Sequence, residues 1–300
     1  MPARVYIGFV AREEQPRKVA VVGHVEWAEF AVVDHVPLTG EIVQATDTWE
    51  LPAGGGAVAA VQLAKLNGSC LFLTAVGNDE LGSRVAPGLQ ELGVEVHAEA
   101  VDAPQRRAFV HLDRTGERTI TTTGPRLVPS SDHDLPWHSL AECDAVYVTA
   151  ADEQGVRLAR AARKVVATIR TSQGLLDSGV AVDVVVASLN DPGERFEESL
   201  FPVQPLAVVR TDGSRGGTIT HADGSLEKWQ PVPLESDWVD SYGAGDSFAA
   251  GLTYGLAQGL ELREAARIGA LCGASNVQGR GPYAAQATEA DVERLELRPG

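Results

Sequence analysis

From residue 145 onward one pattern repeats. A short run of apolar, mostly β-branched residues is followed by a polar or helix-spaced segment, and the apolar runs fall at 145–149, 165–169, 182–187 and 206–210. Helices are expected at 155–163 and 194–200. Strands this uniformly apolar must be covered on both faces, which suits a parallel sheet between two helical layers. Residues 19–22 and 71–76 read as further strands of that sheet. The segment 57–67 reads as a helix, its apolar Val58, Val61 and Leu66 interspersed with alanines and its end marked by Asn67-Gly68. Two helices are expected to close the fold, over about 245–258 and 262–277.

The first half carries β structure of another kind. Residues 28–35 and 41–48 are strand-like and joined by a turn at 37–40, while Arg107–Leu112 and Arg118–Thr123 read as a hairpin around 113–116. Hairpins do not insert easily into a parallel sheet. They are expected to form a small β lid, from about 26–50 and 104–123, over the crevice at the carboxyl ends of the main strands. The expected whole is an α/β three-layer sandwich over 19–300, preceded by an extension at 1–18 that is either loosely ordered or an added edge strand.

The 300 residues carry a formal net charge of -16, which argues against non-specific binding to nucleic acid or an anionic membrane. Local capture of an anion by backbone amides is unaffected by that charge. Cys70, Cys143 and Cys272 are far apart and odd in number, so a disulfide framework is not expected, and a reducing cytoplasm is. The apolar stretch 5–11 is too short to span a bilayer.

Chemistry concentrates in D-S-Y-G-A-G-D-S-F-A-A-G, residues 240–251. Phe248, Leu252 and Leu256 share one helical face, so Gly243, Ala244, Gly245 and Asp246 fall at the first turn of a helix. Free amides and the positive end of the helix dipole make that turn an anion site. A carboxylate beside a held phosphate is the minimum needed to transfer a phosphoryl group to a hydroxyl.

Residues 240–248, the pair 53–68 and 76–82 (the latter V-G-N-D-E-L-G), the run D-R-T-G-E-R-T-I at 113–120, and V-V-R-T-D-G at 208–213 occur in an order that resembles the ribokinase-like, or phosphofructokinase-B type, carbohydrate kinases. The resemblance implies MgATP as donor and a sugar-like or nucleoside-like hydroxyl as acceptor. It makes Asp246 the general base and Gly243, Ala244 and Gly245 the anion hole. Gly54 and Gly55 would lie against the acceptor. Thr211, Asp212 and Gly213 would meet the nucleotide, with Asn276 and Gly279 edging the adenine. Asp191 and Glu194 would organise Mg2+, and Asp240 falls where relatives often hold K+. A homodimer through the lids is a further implication.

Two departures concern the acceptor. An asparagine that bonds acceptor hydroxyls in the family is replaced by Val58 or Ala59, and the usual aspartate stands about where Ala28 is, leaving Glu26 or Glu29 as substitutes or none. His24, beside the first strand's end, is the one histidine placed near the acceptor. Trp27 is either a stacking platform or packing. Arg106, Arg107 and Arg170 are candidates to grip a carboxylate or phosphate on the acceptor, or solvated arginines. The rival reading is a non-catalytic sugar or nucleotide sensor. A dinucleotide oxidoreductase is disfavoured because no G-x-G-x-x-G follows residues 19–25.

Overall fold

The computed structural model describes residues 17–296. Apart from Arg17 and Lys18, the expected extension lies outside those residues. Strand β1 (Val19–Val22) leads into β2 (Glu26–Val32) and β3 (Asp47–Ala53), followed by α1 (Gly55–Asn67), β4 (Cys70–Gly77), α2 (Glu80–Gln90) and β5 (Val94–Val101). The hairpin is β6 (Arg107–Leu112) and β7 (Arg118–Thr123). Next come β8 (Ala145–Val148), α3 (Glu153–Ala159), β9 (Val165–Thr168), α4 (Ser172–Ser178), β10 (Val184–Ser188), β11 (Ala207–Thr211), β12 (Gly217–His221) and β13 (Leu226–Trp229). Helices α5 (Ala244–Ala257), α6 (Leu262–Asn276) and α7 (Glu289–Glu296) complete the chain.

The main sheet runs β13-β12-β11-β10-β9-β8-β1-β4-β5. It is parallel except where β12 pairs antiparallel with β11 and β13. Alternate residues of β1 explain why such strands are apolar throughout. Val19 and Val21 enter the core shared with α1 and α5, and Ala20 and Val22 enter the one shared with α3 and α4. Helices α5 and α6 pack closely because Gly251 and Gly269 have no side chains. A Cβ on Gly269 would lie 2.7 Å from the Phe248 carbonyl oxygen. Among the described residues no helix is long and apolar enough to cross a membrane.

The lid is a separate four-stranded sheet, β3-β2-β6-β7. Its central pair β2/β6 is parallel, and the outer pairs are antiparallel. Its second strand is not at 41–48. The run Ile42-Val43 stays unpaired, with Ile42 97% exposed, and residues 47–53 pair instead. That register sets Trp49 opposite Phe30, and the rings stack at 4.8 Å. Phe30 also meets Tyr242 edge-on at 5.0 Å, tying the lid to the main domain. Stacked aromatic burial outweighs the strand preference of two aliphatic residues that nothing covers.

The expected helix at 194–200 is also absent. Two single 3-10 turns stand there, Pro192–Glu194 and Glu198–Leu200, with no buried residue in either. Without an apolar face to bury, a short acidic segment gains too little from packing to hold a helix.

Candidate active site

The carboxyl ends of the main strands converge on one edge. β1 delivers Gly23 and His24, β8 delivers Thr149, β9 delivers Arg170, and β10 and β11 deliver Asn190, Asp191 and Thr211. The first turn of α5 faces this edge. Gly243 holds φ +81°, a conformation that glycine adopts without strain, and no side chain caps the helix. A Cβ on Gly243 would come within 2.9 Å of Val58 Cγ1, so Val58 packs beneath the turn rather than reaching an acceptor. Around Gly245 there is open space within 4 Å of where a Cβ would stand. Amides at a dipole terminus therefore open onto the crevice.

Asp246 follows directly. Its carboxyl is pushed up from 3.8 to about 6, first by burial and then by the nearby charge of Glu194, with Arg170 and Arg118 opposing. A carboxylate poised there is basic enough to take a hydroxyl proton near neutral pH. A Cβ on Gly55 would lie 2.7 Å from Asp246 Oδ1 and 3.5 Å from His24 Cε1, so the three converge on one point. Gly54 adopts φ +86°, and its N–H donates to the Tyr242 hydroxyl at 3.1 Å. That bond fixes the glycine loop against the segment carrying Asp246.

Glu26, at the start of β2, is buried and accepts from Arg106 Nε at 2.6 Å. His24 Nε2 lies 4.0 Å from the same oxygen. The His24 ring is held well below its usual pKa by burial, then by the charges of Arg126, Arg106 and Arg170. Its Nδ1 faces Arg126 Nη2 at 3.0 Å. An arginine can only donate, so Nδ1 accepts and the neutral ring carries its proton on Nε2.

Arg126, in the loop after β7, was not among the residues singled out from the sequence. Arg106 was singled out jointly with Arg107, and the structure separates them. Arg106 lies on the inner side of the lid with buried Ala108 and Val110. Arg107 turns to the outer side, where it pairs with Glu29 and rests over Phe109. Arg107 is thus corrected away from the acceptor, because side chains alternate between the faces of a strand. Of the two readings of Trp27, the structure favours packing: Arg84 covers its ring, and its Nε1–H donates to Glu50.

Arg170 reaches the site edge but is held by both carboxylates expected at a metal, Asp191 and Glu194, through Nη2 and Nε, each at 2.5 Å. Among the described residues no three carboxylate, histidine or cysteine side chains form a metal cluster. The donor set fits a magnesium ion that keeps its waters and brings phosphate ligands, and not an all-protein cage.

Thr211, Asp212 and Gly213 form the turn after β11, where Asp212 pairs with Arg215 and the Asp212 N–H donates to the Gly216 carbonyl. Arg215 also reaches Asn190, joining this turn to the Asp191 segment. Asn276 is fully buried and donates to the Pro282 carbonyl at 2.8 Å, so it braces a loop instead of edging an open pocket. Gly279 is equally occupied, since a Cβ there would lie 2.6 Å from Ala285 Cβ. Asp240 is buried and accepts from the N–H groups of Tyr242 and Gly281, both at 2.8 Å. Burial raises its pKa, and no cationic side chain touches it among the described residues.

The lid hairpin is latched to this end of the site. The Gly116 carbonyl accepts from Ser241 N–H at 3.0 Å, and Arg118 Nη1 donates to Ser241 Oγ at 3.1 Å.

Residues 16–289 match the description "pfkB family carbohydrate kinase". A fructokinase of Salmonella typhimurium is 26% identical, over 88% of this chain and 96% of its own. A ribokinase of Lactococcus lactis is 25% identical, over 87% and 91%. The structure of Arabidopsis thaliana ribokinase complexed with ribose and ATP superposes with a TM-score of 0.75 at 20% identity, covering 95% of this chain and all of that one. At that identity the likeness is one of fold, and it extends to the lid. The match over most of its length makes this chain a member of the pfkB family of carbohydrate kinases, which are phosphotransferases with an alcohol group as acceptor.

Proposed function

We propose that the protein transfers the terminal phosphoryl group of MgATP to a hydroxyl of a sugar or sugar derivative, with Asp246 as general base. The observation that carries this is the placement of Asp246. A carboxyl raised to about 6 stands on the open first turn of α5 and faces Gly55 and His24. Asp246 takes the acceptor proton as the hydroxyl oxygen attacks phosphorus. The amides of Ala244 and Gly245 donate to the oxygens on which charge develops. Gly54 and Gly55 let the acceptor approach the backbone, and Glu26, oriented by Arg106, accepts from its hydroxyls.

Asp191 and Glu194 would hold Mg2+ through its waters once Arg170 yields them. The ion would neutralise phosphate charge. The turn at Thr211, Asp212 and Gly213 would meet the nucleotide. Asp240, a buried carboxylate without a touching cation, would hold K+. The outer lid face, an open concavity of about 730 Å3 lined by Glu29, Ala31, Phe109 and His111, would meet a second copy.

A coupled assay of ADP release tests the reading, run with MgATP over neutral sugars, acid sugars, sugar phosphates and nucleosides. Acceptor-dependent ADP release abolished by Asp246→Asn is the expected result. Binding of nucleotide and sugar with no turnover of any acceptor would favour the sensor.

A further inference from the structure

Arg126 makes no ion pair with a carboxylate among the described residues, although the charges of Glu26 and Asp246 reach it from a distance. Its Nη2 donates to His24 Nδ1 at 3.0 Å and to the Thr149 carbonyl at 3.1 Å, and its Nη1 donates to the Arg170 carbonyl at 3.2 Å. All three acceptors are neutral. Two of its five N–H groups have no acceptor among the described residues. Its neighbours are already committed, Glu26 to Arg106 and both Asp191 and Glu194 to Arg170. Arg126 is half-buried, and holding a guanidinium there on neutral partners alone carries a cost that an anion would offset. Beside it the Thr149 hydroxyl is buried with no hydrogen-bond partner among the described residues, a further unused donor.

The position of this cation restricts what the anion can be. Arg126 is bonded to His24, and His24 and Asp246 flank the same point above Gly55. An anion seated on Arg126 therefore lies at the acceptor end, across from the amides of α5. Val58 is turned under Gly243 and Ala28 is buried in the lid, so neither offers a polar group to a neutral acceptor.

We propose that the acceptor carries an oxyanion group, a carboxylate or a phosphate, which seats on Arg126 while a hydroxyl of the same molecule faces Asp246. This rests on the kinase reading given above. The neutral His24 ring adds an Nε2–H donor that stands 4.0 Å from Glu26 Oε1, and Arg126 keeps that tautomer fixed. Arg126 thus binds the substrate and also sets the proton position on its neighbour.

The test compares matched acceptors in the full-length protein: aldonic and 2-keto sugar acids, sugar monophosphates, and the neutral sugar of each. ADP release is measured in wild type, Arg126→Gln and Arg126→Lys. The expected result is a preference for one anionic class, whose KM rises about 10²-fold in Arg126→Gln and less in Arg126→Lys, with KM for ATP unchanged. The preferred class identifies carboxylate or phosphate. Equal use of neutral and anionic acceptors, or a change confined to KM for ATP, overturns the proposal.

If Arg126→Gln does not fold, calorimetric binding of each matched pair to wild type decides. Tighter binding of the charged member supports the proposal, and equal binding overturns it. The two readings fail separately. Binding of a sugar acid lost in Arg126→Gln, with no turnover of any acceptor, would retain the anion subsite and discard the kinase. Turnover of neutral sugars that needs Asp246 and ignores Arg126 would do the reverse.

Discussion

Asp246 Oδ1 lies 2.7 Å from the position that a Cβ on Gly55 would occupy. The first residue of α1 and the first turn of α5 are thus in contact at the candidate site, and only the absence of a side chain lets the carboxylate stand there. Gly55→Ala is expected to fold, since its φ lies outside the left-handed region. The added methyl displaces the carboxylate by a few tenths of an ångström or more. A fall in kcat of about 10²-fold is expected, with melting temperature little changed. Wild-type turnover in this variant would show that the carboxylate has room to move without cost.

Asp246→Asn removes the base but keeps the shape. Turnover is expected to drop about 10²- to 10⁴-fold. Stability should hold or rise, because a half-buried carboxylate that resists ionising no longer has to ionise. Thermal melts at pH 8 beside ADP-release rates check both halves. Near-normal turnover would remove Asp246 from the chemistry.

The pH dependence follows from the same carboxyl. Its folded pKa of about 6 lies above the ordinary 3.8, so its contribution to stability is present below pH 3.8 and is lost as pH rises through about 6. Catalysis needs the ionised form and moves oppositely. The value of kcat/KM is expected to climb about tenfold per pH unit below about 6 and to level above it. A profile flat from pH 5 to 8 would contradict the assignment.

Asp183 supports the fold far from the chemistry. Burial alone would raise its pKa, but hydrogen bonds from Arg160 and the Val165 N–H hold it below 3.8, with Lys164 adding to them. Its stabilisation is therefore present above pH 3.8 and lost as pH falls further. Asp183→Asn is expected to cost about 1–3 kcal/mol in urea unfolding at pH 7, with kcat and KM intact in the remaining folded protein.

The candidate anion turn was legible in the sequence as a helix start because it is local. Gly243, Ala244, Gly245 and Asp246 are consecutive, and the helix that presents them declares itself by the spacing of Phe248, Leu252 and Leu256. The sheet was legible for a similar reason, since runs such as 145–149 can only be buried on both faces. The acceptor end depends on where distant segments meet. Arg126 sits alone in a loop beside Pro125, and nothing within a few residues of it shows that His24 and Thr149 will surround it. Arg106 and Arg107 were separable in principle. Strand alternation places Arg106 with the apolar Ala108 and Val110, and that parity is the signal that distinguishes the inner arginine from the outer one. The misplaced lid strand has another cause, because Trp49 is selected by a ring on a strand that is itself located only by folding.

The parallel pairing of β2 with β6 has a consequence for assembly. These strands leave the main sheet on separate excursions, one before α1 and one after β5, so neither excursion alone can complete the lid. During synthesis β2 and β3 emerge as a two-stranded ribbon, which is marginal in water until β6 arrives. Until then one long edge, carrying Trp27 and Phe30, remains open to other chains. A protein truncated before Arg107 would lose more than its lid: it would display an adhesive strand that the intact chain always covers.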